Sequence, residues 1–179
     1  DANPDHWAFF LARDLKPGQI QVNTGDGIKT FSGNVAVWFP KFSIIEWQIS
    51  PGEVNWIGYL SRSEAPEYLP KKATVFSFPE EYQPKTKEDI FWAVNNASEK
   101  ITIEREVGVT VLSEKVKNYL QAHFKEDILI SDLAERFSVS HEYISKTLKK
   151  CYGLSPVYLR SRLRVFSAMI SLLEGTEVT

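Results

Sequence analysis

The feature that most constrains this chain is a change in the spacing of its apolar residues near positions 107–112. Before that point, short apolar runs are separated by turn-forming stretches such as GDG (25–27) and PGE (51–53), a pattern typical of β-strands joined by tight turns. After it, apolar residues recur at steps of three and four, which indicates amphipathic helices. The sequence therefore predicts an α+β fold, with a small all-β domain over 1–110 and an all-α domain over 111–179.

The first part of the chain contains seven runs that we predict to be strands. Residues 101–104, Ile-Thr-Ile-Glu, show the period of two that is expected of a half-buried strand. Many short strands at this spacing favour a small barrel or a sandwich. The runs are QIQV (19–22), VAVWF (35–39), FSIIEWQI (42–49), VNWIGYL (54–60), ATVFSF (73–78), IFWAV (90–94) and ITIERE (101–106).

The second part contains four apolar stripes that we predict to lie on helices. The predicted N-caps of the first three are Ser113, Ser131 and Ser140, and Gly153 is expected to end the third helix. The fourth and longest helix is expected to begin at Ser155-Pro156 and to reach Gly175. The first three stripes are Val116, Tyr119, Leu120 and Phe124; Leu129, Ile130, Leu133, Ala134 and Phe137; and Ile144, Leu148 and Cys151.

The formal net charge of −2 conceals an uneven distribution of charge along the chain. Residues 1–110 carry 11 basic and 15 acidic side chains, whereas residues 111–179 carry 10 and 8. Between Tyr143 and Leu173 there are six Lys or Arg residues and no acid. Such a segment has the charge of a nucleic-acid-binding surface, but a solvated helix face has the same composition. The charge alone therefore does not distinguish a nucleic-acid-binding surface from a solvated helix face.

The spacing of small and apolar residues over 133–148 favours a nucleic-acid-binding surface. A helix-turn-helix needs two short helices, a tight turn and an apolar residue that fills the corner between them. Ala134 supplies a small residue on the first helix, Ser138 lies in the turn, and Val139 is placed to fill the corner. Ile144 and Leu148 would anchor the second helix, predicted over 140–151, from its inner side. The polar residues of that helix then face outwards.

Residues 112–179 resemble the AraC/XylS family of bacterial transcription regulators. The resemblance is carried by ISDLAERFSVSHEYISKTLKKCYGLSPVYLRSRL, followed by SLLEGTEVT. The family has two helix-turn-helix units joined by a long helix, and the resemblance covers the first unit and the joining helix. It implies double-stranded DNA as the partner of a domain that is truncated after its first unit. One unit alone is expected to bind weakly, because fewer phosphates are contacted.

The resemblance also implies which residues contact DNA, because it makes the second helix of the unit the recognition helix of the major groove. Glu142 can accept a hydrogen bond from a cytosine amino group, and Lys146 can reach a guanine edge or a phosphate. For Glu142, stabilisation of the helix N-terminus by its charge is an equally good explanation, and His141 also fits an ordinary surface position. The implied DNA-binding residues are His141, Glu142, Ser145, Lys146, Lys149, Lys150 and Arg160, of which the last three suit phosphates.

For the first domain the resemblance implies a cupin-like barrel that senses a small-molecule effector, contacts a regulatory protein or forms a homodimer. Aromatic residues are the candidate ligand-binding set, because aromatic-lined apolar pockets bind small molecules. The same residues would also fill a core or an interface. The even spacing of the first three predicts successive strands of a meander. The candidates are Trp38, Trp47, Trp56, Tyr59 and Trp92.

We expect no metal, no cofactor and no enzyme activity. A metal-dependent barrel would need clustered His and Glu ligands, whereas His6 is the only histidine of the first domain and lies outside the predicted strands. No nucleophile–base pair is recognisable, and Cys151 is expected to be a core residue.

No apolar run approaches the ~18 residues that cross a membrane, and residues 1–15 do not resemble a signal peptide. With a single cysteine, this predicts a cytoplasmic protein. An alternative to DNA binding is a protein-interaction module, in which the barrel docks a partner and the helical part does not bind DNA.

Overall fold

The computed structural model describes residues 6–24, 26–103 and 109–175. The chain has an α+β fold and divides into two compact units, the larger spanning Asp5–Glu104 and the other lying mainly in Arg105–Thr179. The first unit holds β1 (Trp7–Thr24), β2 (Gly27–Phe39), β3 (Trp47–Ile49), β4 (Asn55–Ser61), β5 (Thr74–Ser77), α1 (Lys87–Asn96) and β6 (Ile101–Thr102). The second holds α2 (Val111–His123), α3 (Ile130–Phe137), α4 (His141–Tyr152) and α5 (Pro156–Leu173).

The six strands form one antiparallel sheet around a long β1–β2 hairpin. The register of this hairpin shifts between Ala12 and Leu15 and again between Leu15 and Ile20, and such bulges bend a strand sharply. On its other side, β1 pairs with β4 through its first half and with β3 through its second half. Strand β5 continues the sheet from β2, and β6 follows β5.

The sheet contributes side chains to two cores, one on each face, since successive residues of a strand point to opposite sides. One face packs against α1, and its core contains Trp7, Phe9, Leu11, Trp38 and Phe76 with Phe91 of the helix. The other core contains Ala8, Val35, Val37 and Val75 together with Val22 from the far half of β1. Since Val22 shares a core with Ala8, the bent sheet folds over itself.

Helix α1 corrects the predicted strand at IFWAV, which was wrong. Thr86 Oγ1 accepts a hydrogen bond from the Asp89 backbone N–H at 3.2 Å, and Asp89 Oδ2 accepts one from the Thr86 N–H at 2.9 Å, so the helix begins with a reciprocal capping box. Ile90 and Val94 are buried and Trp92 is exposed, which is the helical period. The first unit is therefore not purely β, because it carries one helix against its sheet.

Other strand predictions were too long or too short. Residues 7–18 were not predicted as a strand but form most of β1, and only Trp47–Ile49 of the run 42–49 is a strand. Of ITIERE only Ile101–Thr102 is a strand, and 104–106 lie outside the described residues. The predicted meander was also wrong, because β3 and β4 both pair with β1 rather than with each other.

The helical unit follows most of the predicted stripes, but Leu129 of the second stripe is 64% exposed and precedes α3. In α2, Val116 and Leu120 are buried, but the N-cap is Thr110, not Ser113; the buried Ser113 hydroxyl instead accepts from the Thr110 backbone N–H at 2.9 Å. Helix α5 begins as predicted, with Ser155 Oγ accepting from the Tyr158 N–H and Pro156 in the first turn. Over the described part of the chain, no helix is both long and apolar enough to cross a membrane.

Candidate nucleic-acid interface

Helix α3 is a short helix held by its own first turn. The Leu129 N–H donates to Asp132 Oδ2 at 2.8 Å, so the carboxylate of Asp132 satisfies one of the free amides at the helix start. The predicted cap, Ser131, lies inside the helix and is exposed, which corrects that assignment. Leu133 is the buried residue of the helix and anchors it to the unit.

The corner between α3 and α4 consists of three residues, 138–140. Ser138 has a φ of 52° and a ψ of 45°, in the left-handed region, which is where glycine is favoured and other residues are strained. The Ser138 and Val139 N–H groups donate to the carbonyls of Glu135 and Ala134 at 3.1 and 3.0 Å. These bonds close α3 and allow the short, tight turn that a helix-turn-helix requires.

Helix α4 has an apolar inner side and a polar outer side. Ser140 Oγ accepts from the Tyr143 N–H at 3.1 Å at the start of the helix, and Gly153, with a φ of 74°, ends it. Ile144 and Leu148 are fully buried. The predicted helix 140–151 therefore agrees with the observed His141–Tyr152 to within one residue at each end.

The outer side of α4 carries most of the residues predicted to bind DNA. His141, Glu142, Lys146, Lys149 and Lys150 are exposed, and Ser145 is half-buried. Within the described ranges none of the three lysines forms a salt bridge with an acid. The structure thus brings six of the seven residues onto one helix, and the four charged side chains among them, Glu142, Lys146, Lys149 and Lys150, are exposed.

Tyr143 belongs to the same surface, and the sequence reasoning missed it. Its side chain is 54% exposed, and it lies three residues before Lys146, so the two are neighbours on the helix. Its ring offers an apolar contact for a thymine methyl group, and its hydroxyl can donate or accept a hydrogen bond. The signal was available, because Tyr143 lies outside the Ile144–Leu148 stripe.

Arg160, the seventh predicted residue, has a different position. It is half-buried on α5, and its Nη1 donates to the carbonyl of Ile128. One turn later, Arg164 donates from Nε to the Phe124 carbonyl and from Nη2 to the Glu126 carbonyl, both at 2.7 Å. The two guanidinium groups therefore bind the chain segment between α2 and α3, and part of the donor capacity of Arg160 is used inside the protein.

The aromatic candidates of the first unit do not converge on one cavity. Trp38 is fully buried and donates from Nε1 to the Pro70 carbonyl at 3.0 Å, whereas Trp56 and Trp92 are 59% and 66% exposed. Trp47 packs against the core on the opposite face of the sheet from Tyr59. Three open clefts of about 620, 200 and 330 Å³ contain Trp92, Trp38 and Trp47 respectively. A ligand site made by these residues together stays a prediction.

Two further residues, His6 and Cys151, were considered from the sequence as a metal ligand and as a reactive thiol. His6 is buried and its Nε2 accepts a hydrogen bond from Arg62 Nε at 3.1 Å, and Cys151 is a buried free thiol. In the three described ranges no group of three or more His, Cys, Asp or Glu residues is placed to hold a metal ion.

Comparison with known proteins gives one family match, to the helical part of the chain. Residues 105–170 match a family described as a helix-turn-helix protein, YlxM / p13 like, which agrees with the helix-turn-helix that α3 and α4 form. No curated protein matches the sequence. A solved structure of ToxT from Vibrio cholerae is similar over 99% of this chain and 78% of its own, with 12% sequence identity and a TM-score of 0.48.

Proposed function

We propose that this chain is a sequence-specific transcription regulator of the AraC/XylS type, in which α4 enters the major groove of double-stranded DNA. The observation that carries the proposal is the division of α4 into two sides. Ile144 and Leu148 are fully buried, while the opposite side presents three lysines that no acid neutralises in the described part of the chain. A helix docked in this way can offer its whole outer side to a groove.

Within this proposal the residues of α4 have two kinds of role. Glu142, Ser145 and Lys146, with Tyr143, lie early on the helix and reach base edges. Lys149 and Lys150 lie in its last turn and neutralise phosphates, which gives affinity but no sequence preference. Arg160 contributes a phosphate contact only through the donors that Ile128 leaves available.

The first unit has a regulatory role in the proposal. A barrel of the cupin type that binds a small-molecule effector, a regulatory protein or a second copy of the chain would control DNA binding by the second unit. The protein would work in the bacterial cytoplasm, where its DNA is. The alternative, a protein-interaction module without DNA binding, predicts that the lysines of α4 are dispensable.

The experiment is a duplex-binding measurement on the full chain. A labelled pool of random duplexes is titrated with the protein in low salt, and fluorescence anisotropy is followed as salt is raised. We expect binding that falls steeply with salt, and we expect the double variant K146E/K149E to lose it. K29E/K71E, which reverses two exposed lysines of the first unit, is the matched control and should bind as the native chain does. Equal binding by K146E/K149E would refute the assignment of α4.

A further inference from the structure

Strand β4 forms a long edge of the sheet. Over the described residues it pairs with β1 along its whole length, from Asn55 to Ser61, and with no strand on its other side. The neighbouring edges are shorter, with three residues in β3 and two in β6. A seven-residue edge offers a row of backbone N–H and C=O groups to another strand.

The side chains of β4 do nothing to prevent such pairing. Its sequence, NWIGYLS, has no charged residue and no proline, which are the usual means by which natural proteins protect an edge. Trp56, Ile57 and Leu60 are 59%, 46% and 37% exposed. They also lie on both faces of the strand, because successive residues alternate. An apolar edge without such protection is typical of an interface.

We propose that β4 pairs with β4 of a second copy of this chain, antiparallel and about a two-fold axis at Gly58. In an antiparallel pair the opposed residues must both point their backbone groups towards the partner or both away, so a two-fold axis has to pass through a residue position. Centring on Gly58 pairs all seven residues. It places Trp56 opposite Leu60, Ile57 opposite Tyr59 and Asn55 opposite Ser61.

The chemistry of the strand and of its ends favours a second copy over an unrelated strand. Every opposed pair within the strand is apolar with apolar or polar with polar, and no like charges meet. Just beyond the strand lie Glu53 at one end and Arg62 at the other. The Nε of Arg62 donates to His6 Nε2 within its own chain, and its side chain is exposed. Antiparallel pairing brings the Glu53 end of one copy beside the Arg62 end of the other, at both ends of the interface. Such a self-complementary surface is what a closed two-fold dimer needs.

The ring of Trp56, which would contact Leu60 of the second copy, is already held in place by Phe10. The two rings pack edge-on, with centroids 5.4 Å apart. Phe10 lies across the strand from Gly58, where a Cβ would be 2.6 Å from the Phe10 ring. Glycine at this position therefore lets Phe10 support Trp56, and a supported aromatic loses little freedom on binding. The proposed dimer specifies how the first unit would bind a second copy of the chain, which is one of the roles proposed for it above. It does not depend on DNA binding by α4.

The first test is a disulfide between copies. In the proposed register residue 55 lies opposite residue 61 of the second copy, at about 4.5–5.5 Å between Cα atoms, which a disulfide can span. Within one chain the same two residues are about 20 Å apart along the strand. The double variant N55C/S61C should therefore form a cross-linked dimer under mild oxidation, whereas N55C and S61C alone should not. Cross-linking of either single variant as fast as the double variant would overturn the register.

The second test is the mass of the full chain in solution, by sedimentation at micromolar concentrations in the absence of DNA. We expect twice the chain mass for the native protein and the chain mass for L60K, because the lysine of each copy would have to leave water when the two edges pair. I28K adds the same charge to a residue of β2 that is 68% exposed, and it should remain dimeric. A monomeric native chain, open-ended aggregates, or a dimeric L60K would each refute the proposal. None of these results bears on whether K146E/K149E loses DNA.

Discussion

Ser138 is the residue whose backbone most directly sets the corner between α3 and α4. Its φ of 52° lies in the left-handed region, where a side chain costs about 1–2 kcal/mol. Glycine removes that cost but loses about 0.5–1 kcal/mol through the greater freedom of the unfolded chain. We therefore expect S138G to raise the free energy of unfolding by up to ~1 kcal/mol.

The measurement is urea denaturation followed by far-UV circular dichroism, because all five tryptophans lie in the first unit and do not report on the second. Gly153 has a φ of 74° at the end of α4, so G153A is the reverse change and should lose ~1 kcal/mol. If S138G were less stable than the native chain, the Ser138 side chain would have to contribute more than its backbone strain costs.

Glu142 tests base recognition separately from charge. If it accepts a hydrogen bond from a base, E142A should change the preferred base at one position of the site, by about 1–3 kcal/mol, in a selection from random duplexes. If it only stabilises the start of α4, E142A should keep the same preferred sequence and lose ~0.3–1 kcal/mol of stability. The comparison variant K149A should bind all duplexes more weakly and reduce the salt slope by about 1.

At the scale of residues, the sequence predicted the outer side of α4 but not the role of Arg160. The outer positions follow from the Ile144–Leu148 stripe, because a helix has a fixed period. The acceptor of Arg160 is the carbonyl of Ile128, 32 residues away in the chain. A contact between a side chain and a distant backbone oxygen leaves no local pattern, so it becomes visible only in the fold.

At the scale of elements, α1 shows why a strand prediction can fail. IFWAV is rich in β-formers, but burial at Ile90, Phe91 and Val94 follows a helical period, and the sequence gives a start signal in Thr86 and Asp89. The capping box stabilises the helix by more than the weak preference of these side chains for a strand opposes it. The same logic missed β1, because its first residues are buried on both faces and so do not alternate.

The start of α1 also predicts a pH dependence. Hydrogen bonds from the Lys85 and Thr86 backbone N–H groups lower the pKa of Asp89 below its ordinary value. A carboxyl whose pKa is lower in the folded state stabilises the fold above its unfolded pKa, and that stability is lost as the pH falls through the folded value. We expect the native chain to lose stability in this acid range more steeply than D89N.

Tryptophan fluorescence during denaturation measures this difference, since the tryptophans lie in the same unit as α1. T86A is the companion variant, because it removes the other half of the box without removing the carboxyl. It should cost about 1 kcal/mol at neutral pH and keep some acid sensitivity. Parallel pH curves for D89N and the native chain would show that Asp89 does not couple α1 to pH.

At the scale of the whole molecule, the sequence predicted two parts with different secondary structure but not the pairing within the first. Strand pairing depends on contacts between distant residues, such as Trp7 with Ser61 and Val37 with Val75. The alternation along a strand is the same whichever neighbour it has. The edge position of β4, on which the proposed dimer rests, therefore could not be read from the sequence.

The two proposals together make a prediction about binding sites in DNA. A dimer carries two copies of α4, so a duplex with two half-sites is bound through both, whereas a duplex with one half-site is bound through one. Linking two binding events raises affinity through a higher effective concentration, commonly by 10²-fold or more. L60K should therefore lose about that factor in affinity for a two-half-site duplex and little for a single half-site, because its α4 is unchanged.

The measurement compares affinities for duplexes in which the spacing between the two half-sites is varied, with I28K as the control, and it locates the spacing at which the native protein gains most affinity over L60K. Equal affinity of L60K and the native chain for every spacing would mean that pairing through β4 and DNA binding through α4 are not coupled.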